Sequence, residues 1–146
     1  MQAVRIMPAG RRITHEESED VMDYSKMSDF EINMSVALAL GAKEVVPGIF
    51  IDDNRRYEFE KPRGKAGNKF FFDPCNNLAD AWPIIQSNGI SIVKYGHGMW
   101  LASSDAYWVD GVEWQIDGEN HPNPLRAAMI VFLQMQESDN VQDNSA

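Results

Sequence analysis

Cys75, His97, Asp80 and Asp105 are the residue types that would make a nucleophile, its base and an orienting carboxylate. A thiol of this kind attacks only when an imidazole lies within hydrogen-bond reach of it. The spacing gives no sign that these side chains meet, and a single cysteine is commonly a small buried apolar residue. His97, His121 and a carboxylate could hold a metal, but no H-x-x-x-H or H-x-D pair accompanies them. No metal or cofactor is therefore expected. The segment KPRGKAGNK, Lys61 to Lys69, has the glycines and lysines of a phosphate loop. It departs from the G-x-x-x-x-G-K-[ST] pattern and does not open directly into a helix.

Binding chemistry has better material. Trp82, Trp100, Trp108 and Trp114, with Tyr95 and Tyr107, lie in one half of the chain, five of them within YGHGMWLASSDAYWVDGVEW. Most of these rings belong to a core and a strand surface. Flat rings beside glycine turns are also what a nucleobase stacks on. Soon afterwards comes Asn123-Pro124-Leu125-Arg126, a helix start with free amide donors and a guanidinium suited to phosphate. Arg126 reads equally well as a first-turn residue paired with a nearby carboxylate. Asn76, Asn77 and Lys65 are the residues that would complete such a ligand site with Trp100, Trp108, Asn123 and Arg126.

The charge balance limits the partners. The chain has 146 residues with 13 Lys and Arg against 22 Asp and Glu, a net charge of −9. That balance disfavours duplex nucleic acid, whose phosphates repel an acidic surface. Six basic residues nevertheless crowd together at Arg55, Arg56, Lys61, Arg63, Lys65 and Lys69. A local positive patch can hold a small anion on an otherwise negative protein, and a solvated loop explains it as well. No apolar run approaches the roughly 18 residues of a membrane span. One cysteine excludes an internal disulfide framework.

The elements that must position these residues follow from periodicity and caps. Residues 1–21 read as an N-terminal extension in which Val4, Ile6 and Met7 add at most a small strand, and Met22 reads as an alternative start. Ser28 and Glu31 form a capping box for a helix from Asp29 to Leu40, with Phe30, Met34, Ala37 and Leu38 as its apolar face, Leu40 and Ile32 flanking it, and Gly41 as its stop. Glu44 to Ile51 is extended and interrupted at Pro47, and Arg56 to Glu60 alternates as a strand. Lys69 to Asp73 resumes as a strand. A second helix ends near Asn88-Gly89, and placing its cap at Asp80 keeps Pro83 in the first turn. Ile90–Tyr95, Met99–Ala102, Ala106–Val109 and Val112–Ile116 read as short strands. Asn123 caps a last helix whose buried stripe is Leu125, Ala128, Met129, Phe132 and Leu133. Residues 137–146 read as a disordered acidic tail. The sum is one α+β domain over residues 22–136, with three helices and a mainly antiparallel sheet of five to six short strands.

Three stretches, MDYSKMSDFEIN (22–33), FDPCNNLADAWPII (72–85) and NPLRAAMIVFLQMQ (123–136), carry a resemblance. They resemble the NinX family of small proteins encoded by lambdoid and related bacteriophages. The resemblance spans the expected domain and implies a protein made in the cytoplasm of an infected bacterium. It brings no activity and no catalytic residue with it.

Small accessory phage proteins commonly counter host defence, and many bacterial defences signal through cyclic or ADP-ribose-like nucleotides. The leading expectation is a non-enzymatic protein, acting as a homo-oligomer, that sequesters a small nucleotide-derived signal. The alternative is an inhibitor that docks an acidic surface on a host defence protein. A hydrolase of a signalling nucleotide, using Cys75 or His97, stands third.

Overall fold

Each of the three helices begins on a side chain that caps its free amide groups. The computed structural model describes residues 6–8, 23–53, 55–59, 71–118 and 120–144. Helix α1, Asp29–Ala39, opens on the expected capping box: the Glu31 amide donates to Ser28 Oγ at 3.1 Å, and the Ser28 amide donates to Glu31 Oε1 at 3.1 Å. Its buried face is Ile32, Asn33, Val36 and Ala37, while Phe30 and Leu38 are exposed. The expected apolar stripe is thus rotated, because the polar Asn33 is drawn inward by partners described below.

Helix α2, Leu78–Asn88, starts three residues earlier than a cap at Asp80 would give. Asn77 is the cap, its side-chain oxygen accepting from the Ala79 amide at 2.9 Å. Asp80 instead accepts from the Asp73 amide at 3.0 Å. Pro83 therefore sits inside the helix, where it removes one intrahelical hydrogen bond. Ala79 and Pro83 both face solvent, so the lost bond falls on the exposed side. Helix α3, Pro124–Asn144, is capped by Asn123, whose Oδ1 accepts from the Leu125 and Arg126 amides at 3.0 and 3.3 Å. The helix continues to Asn144, into the stretch expected to be a disordered tail.

Residues Arg126 to Gln134 of α3 are all buried, so this helix has no solvent face along its first half. The other elements are laid around it. It packs on α1 and α2 and on strands β5, Ser91–Lys94, β6, Trp100–Ser103, and β8, Val112–Ile116. A fully buried Met, Ile or Phe stabilises by about 1.5–3 kcal/mol relative to exposure, and Met129, Val131 and Phe132 all come from this one segment.

Among the described residues the strands are eight, arranged in three small sheets rather than one. β1, Ile6–Pro8, pairs with β8, which pairs with β7, Tyr107–Val109. β2, Lys43–Val46, β3, Ile49–Ile51, and β4, Arg56–Glu58, form a second sheet. β5 and β6 make the third. Every strand pairing is antiparallel. The α+β class is as expected, but the strands are only three to five residues long and close on themselves through local turns such as Pro47-Gly48 and Asp110-Gly111. Short hairpins of this kind pack separately instead of joining one broad sheet. In place of the strand expected at Lys69 to Asp73 there is a single parallel bridge between Glu58 and Phe71, with residues 60–70 outside the described set.

One core runs through all of this. Around the second sheet it is aromatic: Phe50 and Phe59 meet edge to face at 5.2 Å, and Tyr57 and Phe72 at 4.9 Å.

Candidate functional site

A polar node forms where the starts of α1 and α3 meet the turn before α2. Asn33 donates to Asp73 Oδ1 at 2.8 Å and accepts from the Cys75 amide at 3.2 Å. Asn76 donates to Asp29 Oδ2 at 3.0 Å and to Asp73 Oδ1 at 3.2 Å. Asn123 donates to the Cys75 carbonyl at 2.6 Å and to Asn76 Oδ1 at 3.2 Å. Arg126 closes the node, donating through Nη1 to Asp29 Oδ1 at 2.6 Å and through Nη2 to the Met27 and Tyr24 carbonyls at 2.6 and 3.1 Å.

Partial burial would raise the Asp29 carboxyl, but hydrogen bonds from Asn76 and Arg126 outweigh it and hold the group below the usual carboxylate range. His121 is pushed down by burial and then by the Arg126 charge, and its Nδ1 accepts from the Asn123 amide at 2.9 Å. The Arg126 charge is thus already matched by Asp29.

The structure brings together Asn76, Asn123 and Arg126 from the expected ligand set. Asn77 lies in the same turn, with its side-chain oxygen committed to the Ala79 amide. Trp100 is half-buried and pairs its backbone with His121, one link away from Asn123. Trp108 sits on the β7–β8 hairpin, 68% exposed. Lys65 lies outside the described residues. Arg126 is only 7% exposed and uses three of its N–H groups on Asp29 and two carbonyls. The carboxylate pairing, rather than a free phosphate fork, is what the fold makes of it.

The catalytic candidates are dispersed. Cys75 is fully buried, and burial pushes its thiol far above the usual range, so no thiolate is offered at neutral pH. His97 is exposed in the β5–β6 turn at φ 64°. Asp80 stands at the start of α2. Asp105 lies at the far end of that helix, where a Cβ on Gly89 would come within 2.6 Å of its Oδ2. Among the described residues no group of three His, Cys, Asp or Glu side chains is placed to hold a metal ion.

The sequence reading did not single out a cleft between β4 and α2, of about 270 Å3. Leu40, Pro83 and Ile84 give it an apolar wall, and Arg55, Ser87 and Asn88 give it polar edges. The Arg55 guanidinium lies over two rings, 4.8 Å from the centre of Tyr57 and 5.1 Å from that of Phe72. Its Nη1 is 3.6 Å from Asp80 Oδ1, longer than a hydrogen bond, and the side chain is one-third exposed. The signal in the sequence was the basic run that begins at Arg55; that the second helix faces it was not legible there.

No helix among the described residues is long and apolar enough to cross a membrane. No curated protein matches the sequence. The model of the family described as bacteriophage P22 NinX matches residues 23–136. Those residues run from the turn that feeds Arg126 to the end of the buried part of α3, and the chain belongs to the NinX family of bacteriophage proteins.

Proposed function

We propose that this phage protein acts in the cytoplasm of the infected bacterium as a non-catalytic binder that sequesters a small nucleotide-derived defence signal. The observation that carries this reading is Arg55 in the β4–α2 cleft. There a guanidinium is held in place by two aromatic rings, keeps an exposed edge, and opens the only dense basic run of an acidic chain. An oriented guanidinium is suited to phosphate. The wall of Leu40, Pro83 and Ile84 offers a flat apolar surface to a base. At about 270 Å3 the cleft lies at the small end of ligand sites and takes one nucleotide unit of a larger molecule. The Arg126 node is a poorer ligand site because its guanidinium is buried, whereas Arg55, ion-paired with Asp80 at 3.6 Å, is one-third exposed. The buried, protonated Cys75 gives no support to thiol hydrolysis.

The test is thermal unfolding of the full chain against cyclic dinucleotides, cyclic oligonucleotides and ADP-ribose cyclisation products. A ligand at about a hundredfold over its Kd adds about 2.7 kcal/mol and raises the melting temperature. One ligand class should do this, Arg55→Gln should remove the shift, and the nucleotide should be recovered intact. No shift across the panel overturns the reading. Consumption of nucleotide by substoichiometric protein replaces it with hydrolysis.

A further inference from the structure

The β7–β8 hairpin is closed by Asp110-Gly111, both in the left-handed region at φ 51° and 80°. This is the two-residue turn geometry whose twist matches a hairpin. β7 is an edge strand of its sheet. On it Trp108 is 68% exposed, more than any other large apolar side chain of the described residues. Its cross-strand partner is Glu113, so a carboxylate and the indole share one face of the ladder. Asp110 at the turn is exposed as well, while the Asp105 carboxylate lies against Gly89 at the end of α2. Between Lys94 and Arg126 the sequence has no Lys or Arg, but it has Asp105, Asp110, Glu113, Asp117 and Glu119.

A large ring in water, fixed on a paired hairpin and rimmed by one sign of charge, has the form of an interface anchor. We infer that the β7–β8 hairpin is a docking arm, with Trp108 entering an apolar pocket of a protein partner whose rim is Lys- and Arg-rich. Charge selects among occupants. A symmetric contact with the same hairpin of a second copy would set carboxylates against carboxylates, and nucleic acid or an anionic bilayer would be repelled in the same way. This surface is separate from the Arg55 cleft and does not depend on the ligand reading.

The experiment begins with the free protein. The fluorescence lost in Trp108→Phe should be red-shifted, as for an indole in water; a blue-shifted difference means the ring is already covered and overturns the proposal. A photo-cross-linking amino acid is then placed at position 108, and as a control at the exposed Trp82, in full-length protein exposed to host lysate. The expected result is a protein adduct specific to position 108, mapped to an apolar site flanked by Lys and Arg. Its yield should fall about tenfold or more when Glu113→Lys and Asp110→Asn are combined. Adducts to a second copy, nucleic acid or lipid, adducts shared with position 82, adducts insensitive to the charge change, or no adduct at all each overturn it.

Discussion

The Arg126 guanidinium reaches back across 97 residues to Asp29, with Nη1 2.6 Å from Oδ1, and so joins the first turn of α3 to the first turn of α1. The pairing is lopsided: the arginine side chain is 8% exposed and the aspartate 41%. The arginine end is therefore where loss should be felt.

Arg126→Ala removes the guanidinium donor from the Met27 and Tyr24 carbonyls and from Asp29 Oδ1, although Asn76 still donates to Asp29 and the Met27 amide to Tyr24. It should destabilise the protein by about 2–4 kcal/mol, on the scale of losing buried charge-assisted hydrogen bonds. Asp29→Asn keeps an acceptor in a partly solvated place and should cost about 1 kcal/mol. Urea unfolding of the two variants checks the ranking, and equal effects would contradict the asymmetry of burial.

Stability should fall in two steps on acidification. His121 has a folded pKa below its unfolded value, so the unfolded chain takes up its proton first, and stability declines below about pH 6.5. Asp29 is also depressed, so its contribution is present above about pH 3.9 and is lost as pH falls through the lower folded value. Melting temperature against pH should show both steps. His121→Gln should flatten the first and Asp29→Asn the second.

The starts of the first and last helices were legible because their caps are local: Ser28 with Glu31, and Asn123 before Pro124, act within four residues. The cap of α2 was not, because Asp80 and Asn77 are both capable. The choice between them is made by the Asp73 amide, seven residues from Asp80. The same limit applies to the node. Asn76, Asn123 and Arg126 could be picked as polar residues at element ends, yet Asp29, which Asn76 and Arg126 both reach, and Cys75, which Asn123 reaches, lie far away from them in sequence. Pairing over such distances is decided by packing, which no window of the sequence contains.

Asn77→Ala should therefore destabilise by about 1 kcal/mol, the usual effect of losing a helix cap. Pro83→Ala restores an intrahelical amide at an exposed position and should stabilise. Measured by thermal unfolding, a stabilising Asn77→Ala or a destabilising Pro83→Ala would place the helix start nearer Asp80.

Cys75 should resist alkylation in the native protein at pH 8, because its sulfur is fully buried and its thiol held protonated. Intact mass after iodoacetamide treatment should show an unmodified chain, with labelling appearing only as denaturant unfolds it. Rapid labelling of folded protein would show that the site opens locally.

The burial of α3 on all sides has a consequence for how the protein is made. The element around which α1, α2 and the strands close follows all of them in chain order. At about 5–20 residues per second the stretch from Asp29 to Asn144 takes roughly 6–23 s to synthesise, and for most of that time the other elements have no common surface to settle on. Folding is thereby deferred until α3 has emerged. A product ending anywhere before Leu133 would lack the piece that holds the rest together.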